Sequence, residues 1–212
     1  MAKSKGIDMK LPSVDNLFTT QEQRDEEQRE NVRDIPITEI RDFPNHPFKV
    51  KADEKMLEMA ESVKEHGVLM PALVRPRPEG GYEMVAGHRR KMASELAGKE
   101  EMPCLVRNLT DDEATIIMVD SNLQREEVLP SEKAFAYKMK LDAMKRQGQR
   151  TDLTSTPVGQ KLGKYSVEVL GETVGESRSQ IQRYIRLTEL IPPILDMVDE
   201  GRIAMRPAVE LS

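Results

Sequence analysis

Cysteine and aromatic residues are scarce in this sequence. A single cysteine, Cys104, excludes an internal disulfide and a metal site built from several thiolates. There is no tryptophan and the aromatic content is 4%, so a core has to be built from aliphatic side chains and methionine. The three histidines have no spacing typical of zinc ligands. We therefore expect structural or surface roles for Cys104, His46 and His66.

Long hydrophobic runs are also missing. No apolar stretch approaches the about 18 residues of a membrane span, and the first ten residues, MAKSKGIDMK, lack the apolar segment of a secretion signal. We therefore expect a cytoplasmic protein without membrane contact. The net charge of −5 is unusual for a DNA-binding protein, but basic residues are concentrated at Arg89–Lys91 and along Arg178–Arg186.

The chain divides into three regions by composition and periodicity. Residues 1–34 are polar and charged, which is typical of a flexible tail. Residues 35–109 alternate between strand and helix patterns, with strands expected at 35–40, 68–76, 82–87 and 102–109 and helices at 53–66 and 88–98. One expected helix face carries Met56, Leu57, Ala60 and Val63, and the other carries Met92, Ala93, Leu96 and Ala97.

Residues 110–212 have helical patterns only. We expect a loop over 151–166, because this stretch is rich in glycine, threonine and serine, and two short helices around a turn over 167–188. The pattern breaks off within a helix at Leu211 and Ser212, as in a truncated chain or one that lacks a further domain.

The segment VAGHRRKMASELAG (85–98) places a glycine and two arginines where a strand gives way to a helix. A helix N-terminus offers unpaired N–H groups and the positive end of the helix dipole. Arg89 and Arg90 add cationic groups that bind phosphate oxygens, and Gly87 lets the backbone approach a ligand closely. The pattern predicts a polyphosphate site. The alternative is two arginines on a solvated helix face.

The segment VDSNLQREEVLPSEKAFAY (119–137) ends one expected helix and starts the next. Asn122 and Arg125 lie at this junction, where their side chains can reach a phosphate or its metal ion. Capping of the first helix by the same two residues, with Pro130 at the start of the second, is the alternative.

The segment VEVLGETVGESRSQIQRYIRL (167–187) has the pattern of a helix-turn-helix. Gly175 provides the turn and Ser177 caps the second helix, whose apolar residues recur on one face. The other face carries residues suited to contacts with DNA: Ser177, Arg178, Ser179, Gln182, Arg183 and Arg186. An ordinary helical hairpin is the alternative.

These three segments, in this order and spacing, resemble the ParB/Spo0J/Noc family from about Ile35 to the C-terminus, with HGVLMPALVRP (66–76) as a further match. The resemblance implies an α+β fold. A small mixed α/β ParB N-terminal (sulfiredoxin-like) nucleotide-binding domain would span 35–109, and an all-α helix-turn-helix domain would span 110–212. The C-terminal dimerisation domain of the family would be absent.

The family's properties enter as expectations. The protein would bind CTP and Mg²⁺, recognise a palindromic centromere-like site in double-stranded DNA as a homodimer, and act as a CTP-gated DNA clamp in plasmid or chromosome segregation. A ParA-type ATPase would be its partner, and its location would be the nucleoid or a plasmid. Enzymatic activity would be at most slow CTP hydrolysis. A transcriptional or nucleoid-occlusion regulator of the same architecture stays open as an alternative.

The resemblance also assigns residues by position. The triphosphate would contact Gly87, Arg89 and Arg90, the cytosine would contact Gly67 and Pro71, and the phosphates and metal ion would contact Asn122 and Arg125, with His88 and Ser121 beside them. Asn122 is the candidate metal ligand. In DNA binding, the residues from Ser177 to Arg183 would enter the major groove.

Three positions depart from the family pattern. His88 and Ser121 stand where the family commonly has glutamates, and Phe48 stands where it has an arginine, with Lys49 as the nearest cation. Hard cations prefer carboxylate oxygens, so we expect the loss of these two glutamates to weaken magnesium coordination. We therefore expect slow or absent hydrolysis.

An enzyme of the same fold is a further alternative. Sulfiredoxin uses a cysteine where this sequence has Gly87, and Cys104 lies in an expected strand, which favours a core position. A ParB-like amino-acid kinase needs a carboxylate base, for which Glu83 is the nearest candidate in sequence.

Overall fold

The structure of the protein, a computed structural model, describes residues 32–50, 52–125, 127–151 and 159–212, with side chains described in these ranges except at 149–151 and 159–166. The expected tail lies outside the described residues apart from 32–34, which belong to the first strand. The elements are β1 (Val32–Pro36), a 3₁₀ turn (Ile37–Glu39), β2 (Ile40–Arg41), α1 (Glu54–His66), β3 (Ala72–Pro76), β4 (Tyr82–Ala86), α2 (His88–Leu96), β5 (Glu101–Val106), α3 (Asp111–Leu123), α4 (Pro130–Thr151), α5 (Gly159–Val174), α6 (Arg178–Leu187), α7 (Pro192–Asp199) and α8 (Met205–Glu210).

The five strands form one mixed sheet in the order β1-β5-β3-β4-β2. β3 and β4 pair antiparallel as a hairpin, β3 runs parallel to β5, and β1 and β2 close the two edges. One face of the sheet is buried in an aliphatic core that contains Ile35, Ile37, Ile40, Ala72, Val74, Met84, Met102 and Cys104. Burial raises the pKa of the Cys104 thiol to about 11, as expected for a core cysteine.

Three expected strands differ in extent from the observed ones, and the strand expected over 102–109 already ends at Val106. The stretch 35–40 contains the end of β1, a 3₁₀ turn and the start of β2, because the chain crosses from one edge of the sheet to the other. The stretch 68–76 becomes strand only at Ala72. Leu69 and Met70 are 80% and 70% exposed, so 68–71 is a surface loop in spite of its apolar composition.

The helices α1 and α2 pack against each other beside the sheet. Asp53 caps α1 by accepting a hydrogen bond from the backbone of Met56 over 2.9 Å. The residues that meet between the two helices are Met56, Ala60, Val63 and Ala93. Leu57 and Leu96, expected on the same faces, are instead 60% and 52% exposed, because each lies at the margin of its apolar face.

Gly87 joins β4 to α2 and is required by its packing. Its φ is +116°, and a Cβ there would lie 2.8 Å from the Cβ of Ala72 in β3. The glycine thus lets the start of α2 pack closely against the sheet, in addition to any approach by a ligand.

Replacing Gly87 by alanine is expected to destabilise the fold more than the same change at Gly98. Both glycines have positive φ, but a Cβ at Gly98 would meet nothing within 4 Å. Left-handed strain costs about 1–2 kcal/mol, and overpacking adds about 1–3 kcal/mol at Gly87 only. We expect urea unfolding to report a loss of about 2–5 kcal/mol for Gly87→Ala and about 1–2 kcal/mol for Gly98→Ala. Equal losses would contradict the packing argument.

The long helix α4 forms the centre of the C-terminal half. Its N-terminal part contributes Ala136 to a core with β4, α3 and the segment 43–48. Further along, Tyr137 and Leu141 pack on Val167, Leu170 and Ile181 of α5 and α6. The described residues from Val32 onward belong to one compact unit, and the domain boundary expected at 109/110 stays a prediction.

The helix α5 begins earlier than expected. The loop predicted over 151–166 is wrong for 159–166, which are the first eight residues of α5, whereas 152–158 lie outside the described residues. The helix thus includes two glycines, at 159 and 163, in spite of the low helix propensity of this residue.

The helix-turn-helix is confirmed in detail by α5, the turn and α6. Gly175 has a φ of +70°, and the side chain of Ser177 caps α6 by accepting from the backbone of Gln180 over 3.3 Å. A Cβ at Gly171 would lie 2.7 Å from the carbonyl oxygen of Glu176, so the close approach of the turn to α5 requires a glycine there.

Within the described residues, no helix has the length and hydrophobicity to cross a membrane.

Candidate nucleotide cleft and DNA-reading helix

A cleft of about 760 Å³ opens beside the N-terminus of α2. Its walls come from α1, from the start of α2 and from the segment between α3 and α4. The lining residues are Lys49, Asp53, Lys55, Met59, Arg89, Arg125, Glu127, Val128, Leu129, Pro130 and Glu132. This volume suits a small-molecule ligand such as a nucleotide, and four of the lining side chains are cationic.

The N-terminus of α2 has no side-chain cap. Gly87 occupies the capping position in a left-handed conformation, so the N–H groups of the first turn have no side-chain acceptor. Arg89, in that first turn, is 27% exposed at the cleft, and its contact with Oδ1 of Asp53 is long at 3.4 Å. A weakly paired guanidinium beside an uncapped helix N-terminus is a favourable place for a phosphate.

Arg125 faces the same cleft from the end of α3. Its guanidinium lies 5.7 Å from the centre of the Phe48 ring. Burial lowers the pKa of Arg125, Glu132 opposes this effect, and the nearby Arg89 lowers the pKa further. Two mutually repelling arginines in one cleft favour the binding of an anion between them.

Arg90 and the loop before β3 contact each other. One guanidinium nitrogen of Arg90 donates to the carbonyl oxygens of Met70 over 2.8 Å and Pro71 over 2.6 Å. Gly67, with a φ of +73°, ends α1 and starts this loop. Arg90, Gly67 and Pro71 do not line the cleft, so their contacts with a nucleotide stay predictions.

His88 points into a neighbouring pocket. It is buried and stacks on His46, with 3.9 Å between the ring centres, in a space of about 330 Å³ that Asp42 and Lys91 also line. His46 in turn hydrogen-bonds through Nδ1 to the carbonyl oxygen of Phe48 over 2.8 Å. His88 is therefore a packing residue beneath the helix N-terminus, and His46 has the structural one of the two roles expected for it.

The buried histidine pair makes the fold sensitive to acid. The pKa of His88 is lowered from 6.5 to about 3, mainly by burial; His46, Lys91 and Arg125 add to the decrease, and Asp42 opposes it. Burial also lowers the pKa of His46. The unfolded chain takes up a proton near pH 6.5, whereas the folded chain keeps His88 neutral. The stability present above pH 6.5 is therefore lost as the pH falls towards 3.

We expect the free energy of unfolding to fall by about 2 kcal/mol between pH 7 and pH 5 through His88. The variant His88→Gln removes this titration and should have a flatter profile. His66→Gln is the matched control, because the His66 side chain is 63% exposed and its removal should leave the slope unchanged. Urea unfolding at several pH values measures the difference, and identical slopes for all three proteins would refute the assignment to His88.

The candidate metal ligand is engaged within its own helix. Asn122 is buried, and its amide nitrogen donates to the carbonyl oxygen of Met118 over 2.8 Å. Ser121 is exposed and its hydroxyl donates to the same carbonyl, while Asp120 pairs with Lys140. Among the described residues, no group of three or more carboxylates, histidines or cysteines is placed to coordinate a metal ion. The donor set therefore does not fit a Mg²⁺ site made by protein side chains alone.

The outer face of α6 is open to solvent. Ser179, Gln182, Arg183 and Arg186 are exposed on this face, opposite the buried Ile181 and Leu187. Arg178 lies 3.6 Å from Glu168 of α5, and Arg186 donates to the carbonyl oxygen of Ser212 over 3.0 Å. This helix can enter a DNA groove with its polar face forward.

The carboxylate considered as a catalytic base is neutralised by an arginine. Glu83 is buried in β4 and accepts two short contacts, of 2.6 and 2.5 Å, from Arg75. Arg75 also pairs with Asp111 over 2.7 Å, which connects the sheet to the start of α3. Glu83 does not line the cleft, so its role is structural.

The fold and the two sites define a class of protein: a helix-turn-helix protein whose α/β half carries a cationic cleft at a helix N-terminus. Comparison with known families agrees with this. A profile described as the ParB N-terminal domain matches residues 21–123, and one described as the ParB HTH domain matches residues 160–212. The chain belongs to the ParB/Spo0J/Noc family, and the expected fold class is confirmed.

Known relatives have two kinds of name. The chromosome-partitioning protein Spo0J of Thermus thermophilus is 37% identical over 169 residues, covering 80% of this chain and 55% of its own. The nucleoid occlusion protein of Geobacillus thermodenitrificans is 37% identical over 163 residues, covering 74% of this chain and 54% of its own. The chain thus spans about half the length of the curated relatives it matches.

Similar structures exist for ParB of Caulobacter crescentus. The C-terminally truncated protein complexed to the centromeric parS site is 27% identical and aligns with a TM-score of 0.52, covering 84% of this chain and 83% of that one. The same truncated protein has also been solved with CTP-gamma-S; that structure is 28% identical, covers 85% of this chain and 91% of that one, and aligns with a TM-score of 0.42.

Proposed function

We propose that this chain is a site-specific DNA-binding partition protein that acts as a CTP-gated DNA clamp in plasmid or chromosome segregation. The observation that carries the proposal is the presence, in one compact unit, of a cationic cleft at an uncapped helix N-terminus and of a recognition helix with an exposed basic face. The partition names of the relatives and the parS complex of the Caulobacter protein support it.

CTP is the proposed ligand of the cleft. Arg89 and Arg125 bind the triphosphate together with the free N–H groups of α2, and Lys49, which follows Phe48 at the position of the family's arginine, adds a third cation. Arg90 positions the loop that contains Pro71 through its two carbonyl contacts. Gly67 and Pro71 contact the cytosine through their backbone, as the family resemblance implies.

Hydrolysis of CTP is slow or absent in this proposal. His88 is packed under α2 on His46, and Ser121 is a neutral side chain, so neither supplies a carboxylate to a metal ion. Mg²⁺ accordingly depends on oxygen atoms of the nucleotide and on water for most of its coordination. Release of phosphate from CTP at a rate typical of ParB proteins would contradict this part of the proposal.

DNA binding is assigned to α6. Gln182 and Arg183 contact base edges in the major groove, whereas Arg178, Ser179 and Arg186 contact the DNA backbone beside them. The Ser177 cap fixes the N-terminus of this helix. A homodimer places two such helices on the half-sites of a palindrome. A ParA-type ATPase is the proposed partner, and the nucleoid or a plasmid is the proposed location.

A regulator of nucleoid occlusion or transcription is the second candidate. The specific observation in its favour is that relatives of equal identity are named nucleoid occlusion proteins. Loss of the chain's gene separates the two candidates: a segregation defect of the replicon supports partition, whereas division across unsegregated DNA supports occlusion.

The proposed DNA binding is tested with two fluorescent duplexes, one that carries a parS palindrome and one of the same composition with the palindrome shuffled. Anisotropy titrations at fixed salt are expected to give about 10³-fold tighter binding to the first, within the usual range of specific over non-specific affinity. Equal affinity for both duplexes would remove parS-type recognition from the proposal.

A further inference from the structure

Three consecutive residues at the start of α4 connect separate parts of the molecule. Their partners are the Asp199 carboxylate of α7 for Ser131, the backbone N–H of Lys49 for Glu132, and the Glu176 carboxylate in the turn before α6 for Lys133. These hydrogen bonds measure 2.9, 2.8 and 3.1 Å respectively. One helical turn thus contacts the cleft, the helix-turn-helix and the C-terminal helices at once.

Glu132 is the link on the cleft side. Glu132 is only 6% exposed. Its two carboxylate oxygens accept hydrogen bonds from the backbone N–H groups of Lys49 and Leu129, the latter over 3.1 Å. The second bond caps the N-terminus of α4. Glu132 also lines the cleft, where it is an anionic neighbour of Arg125.

Lys133 is the link on the DNA side. Its ammonium group donates to Glu176 and lies 5.4 Å from the centre of the Tyr184 ring, which belongs to α6. Lys133 therefore contacts both the turn and the recognition helix, and it lies outside the cleft. Ser131 adds a separate connection to the end of α7.

We propose that residues Ser131–Lys133 couple nucleotide binding in the cleft to the packing of the recognition helix α6. A triphosphate bound by Arg89 and Arg125 brings negative charge close to the buried Glu132 carboxylate. The repulsion weakens the bonds from Glu132 to Lys49 and Leu129 and shifts the first turn of α4. Because Lys133 is part of that turn, the shift changes the packing of the turn before α6. Glu132 and Lys133 are thus positioning residues, and the inference rests on the proposed function.

The test compares the affinity for a parS duplex with and without saturating CTP, and the ratio of the two dissociation constants is the coupling factor. We expect a factor of about five or more for the wild-type chain. Lys133→Met should bring the factor close to one while leaving the CTP affinity measured by calorimetry unchanged. Lys133→Arg should restore it. Glu132→Gln should tighten CTP binding by about threefold to tenfold, because a like charge is removed.

Lys138→Met is the matched control. Lys138 lies on the same helix and donates to Thr188 and Glu189 beyond α6 over 3.1 and 3.2 Å, but it does not line the cleft. Its loss should leave the coupling factor as in the wild type. A wild-type factor in Lys133→Met, or an equal loss in Lys138→Met, would overturn the coupling role while leaving CTP and DNA binding intact. A wild-type chain that binds no CTP would instead overturn the proposed function, and the coupling with it.

Discussion

Arg89→Ala is expected to weaken CTP binding by about 10- to 100-fold, because a hydrogen bond to a charged group contributes about 1.5–3 kcal/mol. The guanidinium lies in the first turn of α2, at the cleft, and its long contact with Asp53 leaves it available for a phosphate. Isothermal titration calorimetry of the variant with CTP measures the loss. Removal of the Arg89 guanidinium also eliminates its repulsion with Arg125. The CTP affinity that remains therefore reports what Arg125 and the N-terminus of α2 contribute.

Arg202→Ala is the control for this substitution. Arg202 has a side chain that is 63% exposed, pairs with Glu200 over 3.4 Å and lies between α7 and α8, outside the cleft. It removes the same formal charge from the chain and should leave CTP affinity unchanged. Similar losses for both variants would indicate a nonspecific charge effect and would contradict the location of the site.

Arg183→Ala is expected to weaken binding to a parS duplex by about 5- to 150-fold, the range of one lost base contact of about 1–3 kcal/mol. Arg183 is exposed on α6, in the turn after the buried Ile181 that anchors this helix on α4 and α5. Fluorescence anisotropy with the palindromic and shuffled duplexes measures both affinity and specificity. Loss of specificity indicates that the residue contacts bases.

The salt dependence distinguishes the two kinds of contact in this experiment. A lost phosphate contact lowers affinity for both duplexes and reduces the slope of log affinity against log salt by about one. A lost base contact lowers affinity for the palindrome only. An Arg183→Ala protein with wild-type affinity for both duplexes would contradict the assignment of α6 as the reading helix, and Arg202→Ala again serves as the charge control.

Much of the fold could be predicted because its signals are local. The Asp53 and Ser177 caps, the hairpin of β3 and β4, and the alternation of buried residues on α6 each depend on a few neighbouring residues. The helix-turn-helix was recognisable because Gly175 and the apolar spacing occur together. The arginine segment was recognisable because Gly87 breaks a strand directly before two cations.

The rest depended on contacts between distant segments. Nothing local shows that His88 stacks on His46, 42 positions earlier in the sequence, or that Arg90 donates to the loop at Met70. The sequence indicated Lys49 only as the cation nearest to Phe48, and it gave no indication that Glu132 lines the cleft. A glutamate three residues after Leu129 at a helix start is the one local signal, since glutamate at this position caps the helix.

The errors have physical causes. The loop expected over 151–166 rested on glycine and threonine content, but α5 begins at Gly159, and its later residues Val167 and Leu170 pack on α4. The strand expected from 68 rested on apolar composition, but the chain there is held as an exposed loop by Arg90. In both cases tertiary contacts override local propensity.

Calorimetric titration of the chain with CTP, ATP, GTP and UTP, with and without Mg²⁺, tests the central claim most directly. A cationic cleft explains triphosphate binding, and the loop at Gly67–Pro71 is proposed to select the base. The account predicts selective binding of CTP that is retained by Arg202→Ala and weakened by about 10- to 100-fold on Arg89→Ala. Equal binding of all four nucleotides, or none, would contradict a CTP-gated protein and leave a helix-turn-helix protein that reads DNA without this ligand.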